Sequence, residues 1–257
     1  MLNPVRNSTD DASTDSEMAL HPSSQPGLKN EPFMSQRWTN LAFLHWPYEP
    51  SVVQKLLPDG VALDTHQGSA WVGLIPFTMQ KIKFPHGPAI PLLGTFPEVN
   101  VRTYVRGPSG ERSVWFFSLD IPRLAPSLVA RGAFGLPYYW GRGRARQVEE
   151  MHHWSVKRWT RRVAKSEIAV EFGEPIPRYQ TSSLETFLTN RWSLISKKND
   201  QLHLAQIHHP EWPLRRGRLV HLNDHLLEAA GLPAPTAEPH VLCSDGVPVW
   251  ANKGEQI

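Results

Sequence analysis

From Glu98 to Tyr104 the chain reads Glu-Val-Asn-Val-Arg-Thr-Tyr, with Val105 next. Strand side chains alternate between two faces. Val99, Val101, Thr103 and Val105 therefore share one face, and Glu98, Asn100, Arg102 and Tyr104 share the other. An acid, an amide, a base and a phenol in one row make a chemically competent set. A guanidinium binds a carboxylate or enolate through paired hydrogen bonds. A carboxyl serves as general acid or base, and a phenol donates to a developing oxyanion. The alternative is a structural salt-bridge ladder, because buried charges must be paired in any case. The valine row needs a core to cover it. Whether the polar row meets bulk water or an enclosed polar interior decides whether there is a site.

The elements that position this row follow from the surrounding pattern. Gly107-Pro108-Ser109-Gly110 turns the chain into a second apolar-rich strand, Val114 to Asp120. Upstream, residues 49–57 read as a short helix stopped by Pro58-Asp59-Gly60. Strands over 61–64 and 70–78 flank a Gln67-Gly68 turn, and a loop covers 85–91. Asp120 is the expected N-cap of a second helix carrying Leu124, Leu128 and Val129. Strands are expected over 136–140, 152–159 and 167–172. Ser182-Ser183-Leu184-Glu185 fits a capping box before a helix. A strand pair, 191–195 and 202–208, turns at Lys198-Asn199-Asp200, and a last helix is expected over 221–230. The fold class is β-rich α+β with three or four short helices.

The same hairpin carries a resemblance. Phe96-Pro97-Glu98-Val99-Asn100-Val101-Arg102-Thr103-Tyr104-Val105, then Trp115-Phe116-Phe117-Ser118-Leu119-Asp120, then Ala130-Arg131 and Leu136-Pro137-Tyr138 resemble the YqjF-like family of bacterial proteins of unknown function. Phe43-Leu44-His45-Trp46-Pro47, Phe187-Leu188 with Arg191-Trp192, and His209-Pro210-Glu211-Trp212-Pro213-Leu214 extend it over roughly residues 36 to 250. The family resembles acetoacetate decarboxylase in fold. That likeness implies a single antiparallel, cone-like β-barrel over residues 35–257 around a central cavity.

In the decarboxylases an arginine precedes, by seven positions, the lysine that forms a Schiff base with substrate, and a second lysine follows. Arg131 stands seven positions before Tyr138, so Tyr138 and Tyr139 occupy the lysine positions. An imine needs a primary amine, so Schiff-base decarboxylation is rejected. On this resemblance the cavity holds Glu98, Arg131 and Tyr138 as the acid/base and oxyanion candidates, with Asn100, Arg102, Tyr104 and Tyr139 as ligand-binding candidates. The expected ligand is a small anionic or carbonyl-containing molecule. Any enzyme built this way is a lyase or isomerase working without an imine. No cofactor and no metal are expected. The competing reading is a non-catalytic sensing or structural domain.

Composition sets the remaining bounds. The 257 residues include ten Trp and 40% apolar residues, enough for one substantial core. One cysteine, Cys243, excludes an intrachain disulfide and fits a reducing cytoplasm. The sequence offers no apolar run long enough for a membrane-spanning helix, and no secretory signal pattern. Residues 1–34 are polar and acidic, with Asp10, Asp11, Asp15, Glu17 and Glu31 against Arg6 and Lys29, and are expected to be a disordered leader. Met34 offers an alternative start.

The net charge of +3 is concentrated in residues 142–165, where eight bases face Glu149 and Glu150. With Trp154 and Trp159 among them, a nucleic-acid or acidic-partner surface is one reading. A solvated loop and an edge strand protected from mispairing by its cations is the other, and nucleic acid is disfavoured because no recognised module accompanies the charge. His221 and His225 have a spacing that ligates zinc on a helix, without a clear third ligand. The adjacent pairs His152-His153 and His208-His209 would point to opposite strand faces. No Gly-x-Ser-x-Gly elbow exists for a serine hydrolase.

Overall fold

The computed structural model describes residues 32–83, 95–123, 135–159 and 164–257. The strands that matter most here are β1 (Met34–Tyr48), β4 (Ser69–Lys83), β5 (Phe96–Arg106), β6 (Arg112–Ile121), β7 (Tyr138–Val148) and β8 (Met151–Arg158). Beside them run β2 (Ala62–Leu63), β3 (Thr65–His66), β9 (Lys165–Pro175), β10 (Ser193–Lys198), β11 (Gln201–His208), β12 (Leu214–Asp224), β13 (His240–Ala251) and β14 (Glu255–Gln256). These fourteen strands make one sheet in the order β14-β11-β10-β6-β7-β8-β9-β12-β13-β1-β4-β5-β2, with β3 on β4, β5 also pairing β6 and β11 also pairing β13. Most pairs are antiparallel, but β6 runs parallel to both β7 and β10 (Ser193–Lys198). The sheet is therefore mixed, not purely antiparallel as expected. The chain returns from β6 to β7 and later to β10 by crossovers, whose geometry permits parallel pairing.

Strand β5 lies between β4 and β6 and is buried on both faces from Phe96 to Val105. Its valine face joins the main apolar cluster, with Val99 and Val101 among Trp46, Leu74, Trp154 and Phe172. Its polar face meets Phe43, Ile75, Phe77 and Phe187, which belong to two further clusters. Along β6 the partner jumps from Ser118, opposite Val101, to Phe116, opposite Arg102. A β-bulge of this kind re-aims side chains beside it.

Three more expectations hold. The 49–57 helix is α1 (Pro50–Gln54). The 67–68 turn has both Gln67 and Gly68 at positive φ. The capping box opens α2 (Ser183–Thr189), with the Glu185 amide donating to Ser182 Oγ at 3.2 Å and the Ser182 amide donating to Glu185 Oε2 at 2.7 Å.

Others do not hold. Asp120 is no helix cap: it ends β6 in the interior, clasped by Arg158 of β8 at 2.5 and 2.8 Å. The proposed helix body, residues 124–129, lies outside the described residues. The expected 221–230 helix is strand β12 (Leu214–Asp224) followed by a single turn, α3 (Leu226–Ala229). His221 and His225 therefore do not share a helix face. Residues 142–148 are strand β7 rather than loop. Strand β1 begins at Met34, and the Phe33 amide already bonds Ala251 at 2.8 Å, so the sheet starts just before the proposed boundary at residue 35.

One buried carboxylate ties this region together. Asp64 receives Arg106 at 3.0 Å, Arg112 at 3.2 Å and Arg191 at 2.7 Å. Arg191 also donates to the Phe187 carbonyl at the end of α2 and stacks over the Tyr104 and Phe187 rings. Removing the charge leaves buried guanidinium groups uncompensated. Asp64→Asn is expected to lose about 3–5 kcal/mol of stability, read as a lower denaturant midpoint.

Candidate functional site

The polar row of β5 faces the interior. Glu98 is 2% exposed, Asn100 4%, Arg102 9% and Tyr104 fully buried. Across the sheet, Glu98 stands opposite Phe77, Asn100 opposite Ile75 and Arg102 opposite Gly73 of β4. The row is not a salt-bridge ladder. Among the described residues, neither Glu98 nor Arg102 makes an ion pair.

Glu98 lies at one end. Tyr138 Oη donates to Glu98 Oε2 at 3.4 Å, and the Asn100 amide also hydrogen-bonds the carboxyl. Burial outweighs these bonds and the Glu98 pKa is pushed up to about 8. Its carboxyl is thus protonated at neutral pH, an acid able to donate. Burial and the nearby Glu98 also raise the Tyr138 phenol well above its usual range. Asn100 Oδ1 has no hydrogen-bond partner among the described residues.

Arg102 lies at the other end. Its Nη2 donates to Tyr104 Oη at 3.2 Å and weakly to the Leu188 carbonyl at 3.4 Å, while Nε has no partner among the described residues. The guanidinium rests against the Phe43 and Tyr104 rings, at 5.7 and 5.6 Å from their centroids. Tyr104 Oη donates to the Leu188 carbonyl at 2.8 Å and contacts His45 Nε2 at 2.6 Å.

His45 was the residue that sequence reasoning missed. It is fully buried and pairs in register with Gly73, on the face of Arg102. A Cβ on Gly73 would sit 2.8 Å from His45 Nε2, so glycine is what lets the imidazole cross β4 to reach Tyr104. The alternation in Phe43-Leu44-His45-Trp46 carried the signal, because it puts His45 with Phe43. Both faces of β1 are covered here, however, and such strands read as unbroken apolar runs.

The two lysine-position tyrosines part company. Tyr138 pairs with Leu119 and points to Glu98, whereas Tyr139 pairs with Asp120 and stacks under Arg158 at 3.9 Å on the other face. Tyr139 therefore lies on the face opposite to Tyr138 and Glu98, as strand alternation requires, and is not brought together with them. Arg131 lies outside the described residues. No described lysine is buried. Cys243 is buried, and burial raises its thiol pKa.

A cavity of about 480 Å³ opens beside α2, lined by Ile176, Arg178, Thr181, Thr186, Thr189, Asn190, Glu211, Trp212, Pro213 and Leu214. It does not include the β5 row and is separated from Arg102 by two aromatic rings. Trp212 packs edge-on against Phe43 at 5.3 Å, and Phe43 carries Arg102. An Arg178–Glu211 ion pair of 2.5 Å forms part of its wall.

The basic segment lies elsewhere. Arg142, Arg144 and Arg146 are exposed along β7, with Lys157 opposite Arg142 and His153 opposite Arg146 on β8. Trp159 is half exposed beside Arg142. Arg158 is instead the buried partner of Asp120. His152 is stacked on Phe172 inside, and His153 points out, as their adjacency predicted.

The family model of DUF2071, an uncharacterized conserved protein family, matches residues 35–248. The chain belongs to that family. Uncharacterized protein YqjF of Bacillus subtilis (strain 168) is 30% identical over 206 residues, which span 80% of this chain and 85% of YqjF. Similar solved structures lie well below that identity. An acetoacetate decarboxylase-like enzyme from Sphingomonas wittichii RW1 has a TM-score of 0.63 at 10% identity, covering 89% of this chain and 94% of that one. Acetoacetate decarboxylase from Legionella pneumophila scores 0.60 at 14% identity, covering 98% of each chain. The enduracididine biosynthesis enzyme MppR, solved with pyruvate, scores 0.60 at 14% identity, covering 89% of this chain and 91% of that one. These likenesses establish an acetoacetate decarboxylase-like fold for this DUF2071 chain. Among the described residues, no helix is long and apolar enough to cross a membrane.

Raising an acid's folded pKa makes the folded state bind more protons, so stability falls as pH rises between the unfolded and folded values. For Glu98 that window runs from about 4.5 to about 8. The wild type should lose a few kcal/mol, to order of magnitude, across it relative to Glu98→Gln, whose amide mimics the protonated acid. Urea midpoints of both proteins at pH 5 and pH 9 measure the difference.

Proposed function

We propose that the β5 interior binds a small anionic, carbonyl-bearing molecule. Arg102 is the counter-ion, and protonated Glu98 with Tyr138 forms a separate hydrogen-bonding end, about 13 Å along the strand at 3.3 Å per residue, for the far end of a ligand long enough to reach it. The observation that carries this is a guanidinium, 9% exposed, with no carboxylate partner among the described residues. A buried cation without a counter-charge is costly, and an anionic ligand supplies that charge. The unpartnered Asn100 Oδ1 and Arg102 Nε, and the cavity beyond the Phe43 and Trp212 rings, support the same reading.

Within this reading the chemistry open to the site is proton transfer, as in a lyase or isomerase. Glu98 is the acid, and Tyr138 its neighbouring donor toward an oxyanion. Imine chemistry is not part of it, since tyrosines hold both lysine positions and every described lysine is at least partly exposed. The pyruvate in MppR is a ligand of the anticipated class in a similar fold. Arg131, placed by the resemblance, remains a second candidate for the anion. The single buried thiol suits a cytoplasmic protein.

Calorimetric titration with 4-oxopentanoate and with pyruvate tests the reading. Binding of at least one is expected in the wild type, with at least a tenfold loss in Arg102→Met, which keeps the side-chain length without the charge. Borohydride treatment in the presence of either compound should leave the protein mass unchanged. Binding indifferent to Arg102, or a reducible adduct, would overturn it.

A further inference from the structure

The cavity beside α2 is lined by two segments of opposite character. Thr186, Thr189 and Asn190 stand at i, i+3 and i+4, so they share one side of the helix end. Thr181, just ahead of the helix, joins them in the lining. The other segment is Trp212, Pro213 and Leu214, at the entry to β12. Ile176 is tied to it, its amide donating to the Leu214 carbonyl at 2.8 Å. Ring contacts with Trp38, Phe43 and His209, at 6.1, 5.3 and 4.8 Å, hold the Trp212 indole in place while it lines the cavity.

The hydrogen-bonding capacity of this lining is specific. Thr186 and Thr189 donate their hydroxyl protons to the Ser182 and Glu185 carbonyls, at 3.0 and 2.7 Å. A hydroxyl has one proton to give, so these two keep only acceptor capacity. The side chains of Thr181 and Asn190 have no hydrogen-bond partner among the described residues. Each can both donate and accept. Charge is already balanced, because the charged residues of the lining, Arg178 and Glu211, hold each other at 2.5 Å. An anion entering here meets the Glu211 carboxylate, and a cation meets the Arg178 guanidinium. A hydrocarbon would strip water from Thr181 and Asn190 without replacing its hydrogen bonds.

A neutral carbon skeleton carrying several hydroxyls meets every part of this lining. We propose that the cavity beside α2 is a sugar-binding site. The C–H surface of the sugar packs against Trp212 and Pro213. Its hydroxyls donate to Thr186, Thr189 and Glu211, and both give and accept hydrogen bonds at Thr181 and Asn190. A volume of about 480 Å³ is within the range of small-molecule sites. The Trp212 and Phe43 rings stand between this cavity and Arg102, so the site holds a ligand of its own and does not depend on the anion reading.

NMR titration of the full chain tests it, with glucose, galactose and mannose, each beside its uronic acid and its 2-amino sugar. At least one neutral hexose should shift the Trp212 indole N–H and the Asn190 side-chain amide to saturation. Its uronic acid and its amino sugar should bind at least fivefold more weakly. Trp212→Phe assigns the indole signal by its loss. Thr181→Val and Asn190→Leu remove the unpartnered groups at nearly constant shape, at positions that are partly exposed. Each should weaken the same hexose at least fivefold. Intermolecular NOEs from Trp212 to the sugar C–H protons are expected in the wild type and need no variant. Hexoses that leave Trp212 and Asn190 unmoved, tighter binding of a charged sugar, or binding indifferent to both variants would overturn the proposal.

Discussion

A carboxyl, an amide, a guanidinium and a phenol on a strand covered on both faces have lost bulk water and must be solvated by the protein. Strand β5 is in that position along nearly its whole length. Much of its polar surroundings can be understood as a response. The end of α2 offers the Leu188 carbonyl to Tyr104 and Arg102, and the Phe187 carbonyl to Arg191. Gly73 gives up its side chain so that His45 can cross to Tyr104. Glu98 keeps its proton rather than a counter-charge. Where these responses stop, at Arg102 Nε, His45 Nδ1 and Asn100 Oδ1, the remaining hydrogen-bonding capacity faces inward.

The Asp64 and Asp120 pairs show a different treatment of charge in the same sheet. Asp64 meets three arginines, and Asp120 is held in a two-point clasp by Arg158. Both fix strands in place and give each guanidinium a carboxylate, although Arg191 Nη2, like Arg102 Nε, has no partner among the described residues. Arg102 is treated otherwise, although it is more deeply placed than Arg106 and Arg112. The contrast distinguishes arginines held by a carboxylate from one that, among the described residues, has none. It also explains why the positive charge on β7 tells less: cations on an exposed strand are already solvated and need no ligand.

The polar row itself was legible because period-two alternation is local and needs no knowledge of the partner strands. The sequence also carried the α2 capping box and the 67–68 turn, which depend on residues a few positions apart. Parallel pairing of β6 with β7 and β10 was not legible, since it is set by contacts between distant segments. Asp120 followed by Ile121-Pro122 has every local mark of a helix cap, and tertiary pairing with Arg158 overrides it. His221 to Asp224 extends a strand for the same reason: pairing with Ser166 to Ala169 of β9 (Lys165–Pro175) outweighs an amphipathic helical pattern. Tyr138 and Tyr139 were joined in one site by family position, yet alternation alone would have separated them.

The most direct test of an interior kept for an anion is an experimental crystal structure of the protein as purified and after soaking in 4-oxopentanoate. The account predicts non-protein density against the Arg102 guanidinium, extending along β5 toward Glu98 and Tyr138. A protein carboxylate on Arg102, or an interior filled by side chains between Arg102 and Glu98, would contradict it.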